Sequence, residues 1–263
     1  MVSAGFEAGE DLHACAAIVE KGDPDRFMAC MAAPVAARRV MFPVYAFNLE
    51  VARAPWVSAE PMIAQMRLQW WADALEEIAA GGAVRRHEVV SPLAQVLPAS
   101  AARRLGLLVE ARRLDVERAP FAGEEDLLAY VDRTAGALAL SVAEALGGAP
   151  GAQLAVWARA AGVVRYLRAV PELEARGRLP LPDGRSEAVA ALARSQLVAL
   201  AKVGGGLRRL RRGLGPEAGA AVLEFWQVRA LLRQAARDPV SVAEGRLALG
   251  GFGSRLRLVT LAL

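Results

Sequence analysis

The stretch Arg38-Arg39-Val40-Met41-Phe42-Pro43-Val44-Tyr45-Ala46-Phe47-Asn48-Leu49-Glu50-Val51-Ala52-Arg53 decides how this chain is read. It reads as a helix over Ala36–Ala52. Pro43 marks an expected kink, because proline removes one backbone N–H from the helical ladder. Helical periodicity extends outward from here in both directions, and no run of alternating β-branched residues suggests a sheet.

Toward the amino terminus, Asp11–Val19 reads as a short helix. Asp23-Pro24-Asp25-Arg26 reads as a helix start, with Asp23 as the cap and Pro24 at the first helical position. Toward the carboxyl terminus, Ser58-Ala59-Glu60-Pro61 opens a helix ending at Gly81-Gly82, in which Ile63, Met66, Trp70, Ala74 and Ile78 fall at helical spacing. Further helices are expected over Ala101–Val116, Glu124–Leu146 and Gln153–Leu167. The two prolines and two glycines of Glu174–Gly184 require a surface loop. Helices near Glu187–Val203, Leu207–Leu214 and Glu217–Arg237 follow, and Val240–Leu263 is interrupted around Gly250–Gly253.

Composition agrees with an all-α chain, since alanine and leucine dominate and only 6% of residues are aromatic. No composition break divides the 263 residues, so one domain over 1–263 is expected. Thirty-two Lys and Arg against 28 Asp and Glu leave a net charge of +4. That surplus is too small to imply nucleic acid, and it is compatible with weak attraction to an anionic membrane surface. Cys15 and Cys30 do not make a disulfide framework, which points to a reducing compartment. The acidic residues Glu7, Glu10 and Asp11 argue against a secretory or transit segment. A spanning helix needs roughly 20 apolar residues. The best candidate, Ala135–Val164, is broken by Glu144, Gly147–Gly151 and Arg159. A cytoplasmic chain, soluble or peripheral at the inner face of the membrane, is therefore expected.

Few residues suggest chemistry on their own. His13 and His87 are isolated and read as surface residues. Gly204-Gly205-Gly206 followed by Arg208, Arg209, Arg211 and Arg212 lacks the preceding strand and following Lys-Ser/Thr of a phosphate loop, so it reads as a solvated or membrane-facing helix end. Asp73 and Glu77 share a helix face and could hold Mg²⁺ or simply form its polar side.

Three segments carry more information in combination. Arg38 precedes Tyr45-Ala46-Phe47. Tyr130-Val131-Asp132-Arg133-Thr134-Ala135-Gly136 has the form Tyr-x-x-x-x-Ala-Gly. Val164-Arg165-Tyr166-Leu167-Arg168 leads into Gly177-Arg178-Leu179-Pro180-Leu181-Pro182. In order and spacing, over about Asp25–Pro182, these resemble the squalene/phytoene synthase family. The resemblance implies a helical bundle of the isoprenoid synthase type. It also implies two facing aspartate-rich motifs that hold Mg²⁺ against diphosphate, because the ions stabilise the departing charge.

Aligned on Tyr45-Ala46-Phe47, the first motif falls on Ala52-Arg53-Ala54-Pro55-Trp56, which holds no carboxylate. Leu49 replaces the arginine that usually follows the Tyr-Ala-Phe segment. Aligned on Gly177-Arg178, the second motif's aspartates fall on Ala169 and Leu173, and the earlier polar positions on Arg165 and Gly162. Arg168 is kept. With Arg67-Leu68-Gln69-Trp70-Trp71, the helix resembles the branch of the family that includes assembly factor 6 of mitochondrial respiratory complex I and its bacterial relatives.

What that resemblance implies is a non-catalytic helper in assembly of NADH:ubiquinone oxidoreductase, with no cofactor, meeting a complex I subunit or assembly intermediate. An isoprenoid or lipid could also be held in the cavity. The alternative is a prenyltransferase with rearranged Mg²⁺ ligands, which would require Glu50, Asp73, Glu77 or Asp132 to converge opposite Arg38 and Arg168. Candidate cavity or ligand-binding residues are Arg38, Tyr45, Phe47, Asn48, Glu50, Arg67, Trp70, Arg165, Tyr166 and Arg168. The aromatic ones are equally explained as core packing.

Overall fold

The computed structural model describes residues 3–58 and 60–263, with side chains placed except at 3–8 and 252–254. Among the described residues every regular element is helical. The helices are α1 (Ser3–Gly22), α2 (Pro24–Ala32), α3 (Val35–Arg53), α4 (Pro61–Ala80), α5 (Val90–Val96), α6 (Ala99–Glu117) and α7 (Glu124–Val131). They continue with α8 (Ala137–Ala145), α9 (Ala152–Ala175), α10 (Ser186–Lys202), α11 (Gly206–Leu214), α12 (Val228–Arg237), α13 (Val240–Ala243) and α14 (Gly251–Ala262). None is long and apolar enough to cross a membrane.

Helix α3 is the central element and packs against α1, α2, α5 and α8. Met41, Val44, Tyr45, Phe47 and Val51 on it are completely buried. Sealing one such large apolar side chain away from water contributes about 1.5–3 kcal/mol. The helix runs through Pro43 without a break. Asp23 caps α2 as its position suggests, its carboxylate accepting from the Arg26 amide at 3.0 Å, with Pro24 opening the helix.

Three expectations are corrected. On α4 the buried face is Ala64, Leu68, Trp71, Leu75 and Ile78, while Ile63 and Met66 are exposed. The amino-terminal half therefore faces about a third of a turn away from the spacing read in the sequence. The expected helix Glu124–Leu146 is interrupted by a single π turn over Asp132–Gly136. Close packing accounts for it: a Cβ on Gly162 of α9 would stand 2.5 Å from Val131 Cγ1 and 2.7 Å from Ala135 Cβ. Only glycine lets α9 lie this near the π turn. Thr134 Oγ1 also donates back to the Tyr130 carbonyl at 2.8 Å, a bond that loosens the ladder at this point.

The third correction is Glu217–Arg237, which is not one helix. Ala218–Phe225 winds as a tight 3-10 spiral, every residue of it buried, before α12 begins. It is pressed against α11 so closely that a Cβ on Gly219 would meet the Arg211 carbonyl at 2.6 Å.

Candidate functional site

Helices α3 and α9 face each other across a cleft of about 420 Å³. Leu49, Ala52 and Arg53 at the end of α3, with Trp56 in the following 3-10 turn, form one wall. Ala169, Glu172, Leu173 and Arg176 of α9 form the other, and Arg112, Asp115, Tyr130 and Tyr166 also line it. A narrower recess of about 150 Å³ continues inward past Arg26, Asn48, Thr134 and Arg165, sharing Arg112, Tyr130, Tyr166 and Ala169 with the outer cleft. Thus the two segments aligned with the family's metal motifs do stand opposite each other.

In the outer cleft the charges are already partnered. Arg112 Nη1 donates to Asp115 Oδ2 at 3.1 Å and to the Tyr130 hydroxyl at 2.7 Å, and that hydroxyl donates to Asp115 Oδ2 at 2.8 Å. Burial pushes the Tyr130 hydroxyl well above the usual range for a phenol. Burial opposes the charge on Arg112, but Tyr130 and Asp115 outweigh it, so the guanidinium is held more firmly protonated. Arg178 donates to the Asp115 carbonyl and Tyr166 to the Pro180 carbonyl at 2.9 Å. The guanidiniums of Arg176 and Arg178 lie over Trp56 at 4.6 and 5.8 Å. The Gly-Arg-x-x-Leu-Pro segment is therefore stapled to the mouth of the cleft.

The recess is closed by a second network. Arg26 is almost fully buried, its Nε donating to Glu224 Oε2 at 2.9 Å and its Nη1 to Asp23 Oδ2 at 3.3 Å. Arg165 Nη1 reaches the same Glu224 oxygen at 3.1 Å. Arg26 also lies over the Tyr45 ring, 5.0 Å from its centre. Burial works to raise the Asp23 carboxyl, but Arg26 and Arg165 prevail and hold it below the usual range. Burial, reinforced by Glu224, drives the Tyr45 hydroxyl well above 10. Among the described residues, neither that hydroxyl nor Glu224 Oε1 has a hydrogen-bond partner.

The lining does not fit a divalent cation bound to diphosphate. Hard Mg²⁺ takes oxygen ligands, chiefly carboxylates. The facing positions are Ala52 and Arg53 against Ala169 and Leu173. The two acids of the outer cleft are already occupied, Asp115 by Arg112 and Tyr130, Glu172 by Arg176. Among the described residues no three His, Cys, Asp or Glu side chains gather as a metal site would need.

The remaining carboxylates do not converge. Glu50 pairs with Arg53 at 3.3 Å, Asp73 accepts from Gln69 at 2.7 Å, Glu77 pairs with Arg85 at 2.6 Å, and Asp132 pairs with Arg159. Of the candidate residues named from the sequence, Asn48, Arg165 and Tyr166 line the cleft and its recess. Tyr45 lies beneath Arg26, and Phe47 is buried edge-on to Trp71 at 5.5 Å. Glu50, Arg67 and Trp70 line a separate surface groove with Met66, Trp71 and His87. Arg38 instead donates to the carbonyls of Met31 and Ala33 at the α2–α3 turn. Exposed Arg168 pairs with Asp25 at 2.6 Å. His87, expected at the surface, is half-buried against Trp70 and Trp71 with its Nδ1 accepting from the Val89 amide.

Sequence reasoning missed Arg112, Asp115 and Glu224. A signal for Glu224 existed: it is the single charge within the apolar run Ala218–Phe225.

A family model described as squalene/phytoene synthase matches residues 19–249, most of the chain. The chain belongs to the squalene/phytoene synthase family. Its fold is the isoprenoid synthase fold. A crystal structure of a dehydrosqualene synthase with ligand aligns over 98% of this chain and 96% of its own, with TM-score 0.70 and 17% identity. Squalene synthase HpnC from Alicyclobacillus acidocaldarius aligns over 89% and 96%, with TM-score 0.70 and 18% identity. In sequence, the family member is similar to the complex I assembly factor 6 homolog of Drosophila melanogaster, 32% identical over 141 residues, 51% of this chain and 42% of the fly protein. It is also similar to human complex I assembly factor 6, 25% identical over 186 residues, 65% of this chain and 52% of the human one. The chain spans about half the length of the curated relatives it matches.

Proposed function

We propose that this member of the squalene/phytoene synthase family is a non-catalytic helper in the assembly of respiratory complex I, working at the inner face of the membrane. The observation that carries this reading is the cleft itself. Where paired carboxylates would face each other across a metal–diphosphate centre, Ala52 and Arg53 face Ala169 and Leu173. Ionising an allylic diphosphate develops negative charge on the leaving group, and this lining offers no spare carboxylate to hold the ions that would stabilise it. Likeness to two proteins named as complex I assembly factor 6 supports the assembly role.

The purified chain, incubated with radiolabelled farnesyl and geranylgeranyl diphosphates, should release no pyrophosphate with or without Mg²⁺, and Mg²⁺ should leave its melting temperature unchanged. Deleting its gene in the source cell should lower assembled complex I on native gels. Metal-dependent formation of a condensed C30 or C40 product would overturn the non-catalytic reading. Normal complex I in the deletion strain would overturn the assembly role.

A further inference from the structure

We infer that the face built by α11 and α14 is a docking surface for an anionic lipid bilayer. This deepens the membrane part of the function proposed above and does not depend on complex I. Helix α11 carries Arg208, Arg209, Arg211 and Arg212, and α14 carries Arg255 and Arg257. Neither helix contains an acidic residue, and the whole of 188–216 and 245–263 is free of Asp and Glu. None of the six arginines has a carboxylate partner among the described residues, although ion pairs are common elsewhere in the chain.

The two helices present one continuous face. Arg208 donates to the Thr260 carbonyl through Nε at 3.2 Å and Nη2 at 2.8 Å, and Arg211 donates to the Leu261 carbonyl at 2.5 Å. These cations sit on the last carbonyls of α14, where the helix dipole favours positive charge. Between the helices runs an open groove of about 660 Å³, lined by Arg208, Arg211, Arg212, Pro216 and Leu261.

The apolar pattern selects a bilayer over other polyanions. Helix α14 is apolar on both sides. Leu258 and Leu261 are buried toward the core, while Leu256 and Val259 point outward, 55% and 52% exposed. Aliphatic side chains bracketed by arginines match an interfacial helix, whose apolar residues enter the acyl boundary while its cations meet the phosphates. Beside a nucleic acid or a carboxylate-rich protein those aliphatic groups would have nothing to enter. Each arginine near an anionic surface strengthens binding about fivefold.

Flotation of the purified full-length chain with vesicles tests this. Wild type should bind phosphatidylcholine vesicles containing phosphatidylglycerol, ignore phosphatidylcholine alone, and release as salt rises. Arg209→Glu with Arg212→Glu should weaken binding by at least roughly twentyfold, two arginines at about fivefold each. Leu256→Ser with Val259→Ser should weaken it several-fold. Arg103→Glu with Arg133→Glu changes net charge equally on exposed positions elsewhere and should leave binding unchanged. Melting curves establish that each variant is folded.

Wild type that ignores anionic vesicles overturns the inference, as does an Arg209/Arg212 variant that binds like wild type. Equal loss in the Arg103/Arg133 variant would reduce the effect to net charge and also overturn it. Binding to a DNA duplex as tight as to vesicles would do the same. Any of these results leaves the assembly role standing or falling on the gene deletion alone.

Discussion

The cleft between α3 and α9 and the face of α11 and α14 are both rich in arginine, yet they treat it in opposite ways. In the cleft and its recess, Arg26, Arg112 and Arg165 are matched inside the chain by Asp23, Asp115 and Glu224. On the α11–α14 face, six arginines have no carboxylate partner among the described residues. The difference follows from water. A charge taken out of solvent costs several kcal/mol unless a counter-charge comes with it, whereas an exposed arginine keeps its hydration and can wait for an external anion. Arginine matched by carboxylates closes the cleft and its recess, whereas the α11–α14 face keeps its arginines open to an external anion.

The sharpest way to break this comparison is to remove the counter-charge in the recess. Glu224→Ala leaves Arg26 buried with only the partly matched Asp23, and should cost about 3–5 kcal/mol in chemical denaturation. A loss below about 1 kcal/mol would mean the network does not close the recess.

Acid should separate the two regions next. The Asp23 carboxyl is held below 3.8 in the folded chain. Its contribution is therefore complete above the unfolded value and disappears as pH falls through the lower folded value. Stability should thus drop below about pH 4, and the drop should be smaller in Asp23→Asn, which can still cap α2. Vesicle binding should stay flat between about pH 5 and 8, where arginine does not titrate. A Asp23→Asn variant with the wild-type acid profile would remove Asp23 from the account.

The smallest effect is expected on the open face. Arg209→Glu with Arg212→Glu should change folding stability by no more than about 0.5 kcal/mol, because neither side chain is buried. A larger loss would show that this face belongs to the fold and not to a partner.

Much of the architecture was readable locally. The cap at Asp23, the break at Gly81-Gly82 and the central helix around Tyr45-Ala46-Phe47 depend on neighbours a few residues away. The break expected around Gly250–Gly253 falls earlier, between α13 and α14, with Gly251 opening α14. What failed were features imposed from a distance. Ile63 and Met66 share the helical spacing of Ala74 and Ile78, but spacing alone does not say which face is buried, and both are exposed. Burial on α4 is set by the elements packed against it, α6 among them, and it falls on Ala64, Leu68 and Trp71 instead. The π turn and the 3-10 spiral arise where Gly162 and Gly219 let backbones approach, which no local propensity encodes.

The sequence by itself determined that the chain is all-helical, which family motifs it carries, and that alanine, arginine and leucine occupy the positions aligned with the metal ligands. Those are statements about residue identity and short-range spacing, and both are written in the chain. Tertiary structure alone decided that the altered positions face each other across one cleft. It also decided that Glu224, 198 residues from Arg26, neutralises it, and that α11 and α14 join their arginines into one surface. Charge pairing depends on distances of a few ångströms between residues far apart in the chain, and only packing sets those distances.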